Sequence, residues 1–199
     1  MPEPPAGEAG LRDIATRFAS AEGFVMVLLA EAAVGNRATI TKMALERLAE
    51  LRLLDHKQAV VDAYLHEHPK GRPDAVRDLA GSLAKRLDQG AKTASDGVRD
   101  TFRRVTKDNL DALLMSPLTA AVDAGGSRWA LGHWAQMNTE TIGRTATSRG
   151  LAHAVGEGGK VVVNVGRCQL CQSHAGEAVI GQQPLPPYHP SCTCVATAA

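Results

Sequence analysis

Four cysteines and one histidine near the carboxyl end of the chain have the types and spacing of metal ligands. They are Cys168, Cys171, His189, Cys192 and Cys194. The first two form a CxxC turn, in which two thiolates converge on one ion, and a second ligand pair brought back by a loop completes a tetrahedron. The prolines at positions 184, 186 and 187 keep this returning loop extended and stiff. The spacing therefore predicts a metal site.

Five candidate ligands compete for four places. The preferred set contains Cys168, Cys171 and His189, together with either Cys192 or Cys194. In an extended Cys-Thr-Cys segment the two cysteine side chains point to opposite faces, which would exclude one of them. A site with four thiolates would instead need a bend there, and both arrangements stay open.

The predicted metal is Zn²⁺ in a structural role. Thiolates with imidazole in a closed tetrahedral site favour zinc, and an iron–sulfur cluster is a more distant choice. A region of about 35 residues with few apolar side chains buries too little surface to fold alone, and a structural zinc can supply about 10 kcal/mol.

Two disulfides or four free thiols in a packed module are the alternatives to a metal site. A thioredoxin-like redox pair lacks its βαβ surroundings. His174 is a substitute ligand or, as the favoured interpretation, a loop side chain.

Motifs of the common catalytic sites are missing from the sequence. It contains no Gly-rich phosphate loop, no HExxH and no Gly-x-Ser-x-Gly. Glu140, Glu157 and Glu177 do not form a spaced acid–base pair, and His133 and His153 are interpreted as surface or core residues. The sequence predicts a protein that is not an enzyme.

The elements that must position the cluster are mainly helical. The predicted fold class is a long-helix amino-terminal region followed by a small carboxyl-terminal β/loop module clamped by zinc. The predicted layout is a flexible tail at 1–10, a helical region at 11–156 and the strand and cysteine module at 157–199. Apolar spacings of three and four predict helices at about 11–34, 39–66, from Asp74 onward, 96–115 and 127–155. The β-branched run at 160–165 is the one predicted strand.

Charge and hydropathy exclude several functional classes. The chain carries 22 basic and 21 acidic residues, whereas proteins that coat nucleic acid usually carry a basic excess. The longest apolar run, at 24–30, is far shorter than the roughly 20 residues that span a bilayer. The amino terminus has no basic and apolar leader, so we expect the product to stay in the cytosol or in a particle assembled there.

Three sequence elements resemble the phage minor head protein family, that of phage Mu F-like head morphogenesis proteins. The first is a helix with a Thr-Glu element at 138–141, followed by Arg144 and a short strand. The second is the CxxC pair followed by Ala-Gly-Glu at 175–177. The third, Pro-Pro-Tyr-His-Pro-Ser-Cys-Thr-Cys at 186–194, is the most specific. The resemblance covers roughly residues 125–199, and the family commonly has Arg where this chain has Thr193.

The resemblance implies a structural minor capsid protein of a tailed phage or prophage. Such proteins associate with the portal or the major capsid protein in the virion head, after assembly in the bacterial cytoplasm, and act in head morphogenesis, packaging or ejection. Self-association and contact with packaged DNA stay open, although charge does not predict the latter, and no membrane is involved. The alternatives are a zinc-ribbon-like nucleic-acid-binding protein, which the scarcity of basic residues after Arg167 disfavours, and a metal-dependent nuclease.

Overall fold

The computed structural model describes residues 6–116, 118–123, 125–166, 168–190 and 192–199. It is mainly helical with a small carboxyl-terminal β module, which confirms the predicted fold class, whereas the zinc clamp of that module stays a prediction. The helices in these residues are α1 (Ala9–Ala32), α2 (Arg37–Glu50), α3 (His56–Glu67), α4 (Arg77–Arg104), α5 (Leu110–Leu114) and α6 (Leu131–Val155). The strands are β1 (Thr119–Val122), β2 (Arg128–Ala130), β3 (Lys160–Asn164), β4 (Gly176–Val179) and β5 (Val195–Ala198).

The predicted tail at 1–10 is only partly within the described residues. Positions 1–5 lie outside them, and from Ala6 onward the chain is helical instead of loose. A 3-10 turn at Ala6–Glu8 leads into α1, and Glu8 is buried with 4% of its surface exposed. Gly7 has no side chain and therefore approaches His66 of α3 closely, which packs the turn against that helix.

The single helix predicted over 39–66 is two helices. A 3-10 turn at Leu51–Leu53 follows α2, and Leu54 is extended. The side chain of Asp55 then accepts a hydrogen bond from the Gln58 backbone N–H at 3.0 Å and so caps the start of α3. The apolar stripe runs through both helices, and for this reason periodicity alone did not reveal the break.

The sequence predicts two helices where the structure has one, because the break predicted between Asp74 and Asp96 does not occur. Helix α4 runs without interruption through Gly90 and Gly97. At Gly90 a Cβ atom would lie 2.6 Å from the Trp134 ring, so this glycine permits close packing and does not end the helix. The helix ends near Arg104, where the guanidinium of Arg37 donates to the carbonyls of Arg103 and Val105.

A β-hairpin that the sequence interpretation missed precedes α6. Strands β1 and β2 are antiparallel, and the Asp123 carboxylate accepts hydrogen bonds from the backbone N–H groups of Gly125 and Ser127, at 2.9 Å each. Gly126 has a φ of 84°, a left-handed conformation that glycine adopts without strain. The helix predicted over 127–155 therefore begins four residues later, at Leu131.

The carboxyl-terminal module is a three-stranded antiparallel sheet in the order β4-β3-β5. The predicted strand is its centre, and Val161 and Val163 on one face of that strand are buried. They pack with Ala178, Ile180 and Leu151, the last of which belongs to α6. The central strand thus pairs with both of its neighbours. The CxxC turn lies between β3 and β4 in the chain, and the segment with His189, Cys192 and Cys194 lies between β4 and β5.

The chain forms two compact units. One comprises Met1–Arg12, Asp55–Ala84 and Met137–Ala199, and the other comprises Asp13–Leu54 and Lys85–Gln136. All five candidate ligands belong to the first unit. The separation of 157–199 as a domain of its own stays a prediction. Among the described helices, none combines the length and the apolar character needed to cross a bilayer.

Candidate metal centre

Two short backbone turns present the candidate ligands. The N–H of Cys171 donates to the carbonyl of Cys168 at 3.1 Å, and the N–H of Cys192 donates to the carbonyl of His189, also at 3.1 Å. Residues three apart in such a turn project to the same side. The CxxC and HxxC segments therefore each aim a pair of side chains in one direction, and the two pairs meet.

The donor atoms of the two turns lie in contact. The Nε2 atom of His189 is 3.1 Å from the Sγ atoms of Cys168 and of Cys171. The Sγ atoms of Cys171 and Cys192 are 3.8 Å apart. Tetrahedral zinc with Zn–S bonds of about 2.3 Å has sulfur–sulfur edges of about 3.8 Å and nitrogen–sulfur edges of about 3.5 Å. The distance between the Cys171 and Cys192 sulfurs matches the sulfur–sulfur edge. The His189 ring would have to move slightly away from the sulfurs for a zinc ion to bind.

The cluster contains two overlapping groups that could hold a metal. One is Cys168, Cys171 and His189, and the other is Cys171, Cys192 and Cys194, with donor atoms within 4.8 Å of one another in each group. The Cys192 and Cys194 side chains are both buried, at 1% exposure each. Neither is therefore turned away from the cluster, as a fully extended Cys-Thr-Cys would require. Each of the five predicted ligands belongs to at least one of these groups, and Cys171 is common to both.

The tautomer of His189 is fixed by the backbone carbonyl of the next residue, Pro190. Its Nδ1 atom lies 2.8 Å from the carbonyl oxygen of Pro190, and because a carbonyl only accepts, Nδ1 must donate. In the neutral ring, Nε2 is then left unprotonated and faces the two thiols. This hydrogen bond, together with the neighbouring Cys168 thiol, raises the pKa of His189. Such a carbonyl partner is the usual support of a metal-bound imidazole.

The pKa values of Cys168, Cys171 and Cys192 are shifted in different directions because their surroundings differ. Burial raises the pKa of Cys171 far above its ordinary value, and the thiols of Cys194 and Cys168 reinforce this effect. Burial opposes ionisation of Cys168 and Cys192 too, but hydrogen bonds to their sulfurs prevail and lower the pKa of both thiols. A cation at the cluster supplies the positive charge that the ionised form of Cys171 lacks.

Of the two alternatives to a metal, the structure agrees with free thiols and not with disulfides. All four cysteines, each of which lies within the described residues, are free, so the two-disulfide alternative is not what the structure has. Their sulfurs lie beside Val165 and Tyr188 in a small buried cluster. Free thiols packed without an ion are compatible with this arrangement, and the chemistry of the donor set fits a thiolate-binding metal.

A close backbone contact joins the two ligand segments. A Cβ atom at Gly166 would lie 2.1 Å from the Oγ1 atom of Thr193, the residue between the last two cysteines. The Gln172 side chain donates to the Gly166 carbonyl at 3.1 Å. Gly166 thus lets the strand that enters the CxxC turn approach the segment that carries Cys192 and Cys194. No motif in the sequence predicts this role, and its only signal is a glycine two positions before the CxxC motif.

The other histidines lie outside both ligand groups. His174 stacks on Tyr188, with ring centroids 4.0 Å apart and an interplanar angle of 16°. His133 stacks on Trp129, and the Nδ1 atom of His153 lies 2.9 Å from the Tyr64 hydroxyl. His174 is therefore not brought into the cluster as a substitute ligand.

Comparison with known proteins identifies no relative of the chain. No protein-family model, no curated protein and no solved structure matches the chain significantly.

Proposed function

We propose that this chain is a structural minor head protein of a tailed phage or prophage, whose carboxyl-terminal module is closed by one Zn²⁺. The observation that carries the proposal is that donor atoms of the CxxC and HPxCxC segments come together in two overlapping groups that share Cys171. These are the two segments whose order and spacing are similar to the minor head family. A bound zinc would join the loop after β3 to the segment before β5.

The donor chemistry supports zinc as the ion. The two overlapping groups offer four soft thiols and one imidazole, a set of donors that favours zinc over magnesium or calcium. Cys168, Cys171 and His189 would hold the ion, together with Cys192 or Cys194. With five protein donors for four positions, no place is reserved for a reactive water.

This saturation favours a structural role over a metal-dependent nuclease. Catalytic zinc sites keep one position open and have a base beside it. Here three of the four thiols are buried, and among the described residues no carboxylate belongs to either ligand group. The ion would then act by holding loops together, as structural zinc does in small modules with little apolar core.

Metal content tests the chemical half of the proposal. We expect the full chain, purified without chelators, to contain one zinc per molecule. The double variant Cys168→Ser, Cys171→Ser should contain none, whereas Ser173→Ala, a control on the same 3-10 turn, should retain zinc. A wild-type protein with no zinc and an intact module would refute the clamp.

Particle composition tests the biological half. Mass spectrometry of procapsids and virions from the strain that encodes the chain should detect it in both, and affinity capture with the full chain should recover the portal or major capsid protein. Consistent absence from both particles would contradict the assignment. A DNA gel shift that weakens steeply between 50 and 200 mM salt, about the range over which phosphate contacts are lost, would instead favour the nucleic-acid-binding alternative.

A further inference from the structure

His174 and Tyr188 form a stacked pair beside the candidate metal centre. His174 is the last residue of the 3-10 turn Gln169–His174, which carries Cys171. Tyr188 directly precedes His189. The two rings are nearly parallel, with centroids 4.0 Å apart. The stack therefore connects the two loops that supply ligands, at one residue from His189 and three residues from Cys171.

Tyr188 also packs against two groups of buried residues. Its ring packs against the sheet core formed by residues such as Val161 and Ile180. It also packs against the cluster of Cys171, Cys192 and Cys194. The tyrosine thus packs against the apolar core and against the buried cysteines, and the exposed His174 stacks on its ring.

We infer that His174 and Tyr188 are positioning residues, whose stacking holds the CxxC and HxxC turns together and so preorganises the metal site. The inference rests on the proposed function, because it concerns the affinity of the same zinc site. Neither residue would touch the ion. A preorganised site binds more tightly because less loop ordering remains to be done on binding. The energy of one aromatic pair corresponds to at most about tenfold in an equilibrium constant.

Four variants of the full chain test the inference. His174→Ala and Tyr188→Leu remove the stack, whereas His174→Phe and Tyr188→Phe keep two aromatic planes. The zinc dissociation constant is measured by competition with a chromophoric chelator. We expect the first two variants to bind zinc about 10-fold more weakly, in the range that residues supporting metal ligands contribute. The two phenylalanine variants should bind as the wild type does.

Co²⁺ spectra separate positioning from ligation. With Co²⁺ in the site, the thiolate charge-transfer and ligand-field bands should be the same in wild type, His174→Ala and His174→Phe, because the ligands do not change. Since the His174 side chain is exposed, its truncation removes little from the core, so this pair of variants decides the matter even if Tyr188→Leu misfolds.

Three results would overturn the inference, each in a distinguishable way. Zinc affinity unchanged in His174→Ala would show that the stack positions nothing. Weak binding in His174→Phe together with altered Co²⁺ bands would make His174 a ligand. A wild type that binds neither Zn²⁺ nor Co²⁺ would remove the zinc clamp of the proposed function and the positioning role together.

Discussion

The Nε2 atom of His189 lies 3.1 Å from the Sγ atom of Cys171, although residues 172–188 separate the two in the chain. Cys171 is also the one cysteine present in both potential ligand groups. It is fully buried, and its thiol has the most strongly raised pKa of the cluster. The contact between these two residues therefore lies at the centre of the candidate site.

Substitution of Cys171 should reduce zinc affinity more than substitution of Cys192 or Cys194. Cys171→Ser is expected to lower zinc affinity by more than about 100-fold, since even residues that only support ligands contribute about 10–100-fold. Cys192→Ser and Cys194→Ser should each keep much of the zinc, because the remaining thiol can take the fourth place. Chelator competition on the three purified variants measures this ranking. Equal losses in all three would contradict it.

The contact between Gly166 and Thr193 should couple two substitutions. Gly166→Ala would place a Cβ atom against the Thr193 Oγ1 atom, so the Thr193 side chain or its segment must shift, and zinc affinity should fall. Thr193→Ala alone should leave zinc binding unchanged, and adding it to Gly166→Ala should restore part of the loss. A double-mutant cycle on zinc affinity measures the coupling, and strictly additive effects would show that the contact is not what limits the site.

Glu8 should make the stability of the fold depend on pH. Burial raises the pKa of its carboxyl, against the nearby charges of Arg144 and Arg12, and within the described residues its Oε1 atom has no hydrogen-bond partner. A carboxyl with a raised folded-state pKa stabilises the fold fully below its unfolded pKa, and this contribution is lost as pH rises through the folded pKa.

The variant Glu8→Gln should therefore be more stable than wild type at pH 7, and the difference should shrink toward zero near pH 3, below the unfolded-state pKa of about 4.3, where the wild-type carboxyl is protonated in both states. In thermal unfolding, each kcal/mol corresponds to about 2–4 °C in a chain of this size. Glu46→Gln, which removes an exposed carboxylate beside Lys42, controls for the loss of one negative charge. A Glu8→Gln variant less stable than wild type at pH 7 would be the contrary result.

Two helical glycines should respond in opposite directions to alanine. A Cβ atom at Gly81 meets no heavy atom within 4 Å in the part of the chain that is described, so Gly81→Ala should stabilise α4 by about 0.5–1 kcal/mol. A Cβ atom at Gly150 would lie 2.5 Å from the Tyr64 carbonyl oxygen, so Gly150→Ala should destabilise by about 1–3 kcal/mol. Urea unfolding of both variants checks the signs, and a stable Gly150→Ala would show that α3 and α6 can separate at no cost.

The helical content was predictable because its signals are local. The apolar residues of α1, among them Leu11, Ile14, Phe18 and Val25, recur at spacings of three and four and are buried in the structure. The predicted breaks were less accurate. Asp55 caps α3 within an unbroken apolar stripe, and Gly90 lies inside α4 because Trp134 packs against it. A glycine chosen for packing and a glycine that ends a helix look the same in sequence.

The short strands could not be predicted because they have little propensity of their own. Strands β4 and β5 contain mainly small residues, and they are strands because β3 offers hydrogen-bonding edges on both sides. The hairpin of β1 and β2 likewise depends on the Asp123 side chain, which closes its turn.

The sequence by itself determined which five residues are candidate ligands and that they form two short segments, since thiol chemistry and CxxC spacing are local properties. Only the tertiary structure decided that the two segments meet, that Cys192 and Cys194 both lie within reach of Cys171, and that His174 stacks on Tyr188 instead of joining the cluster. The physical reason is that these relations depend on how a loop of many residues returns to β3. That path depends on burial against distant segments, as in the packing of Tyr188 on the core of the sheet, and not on local spacing alone.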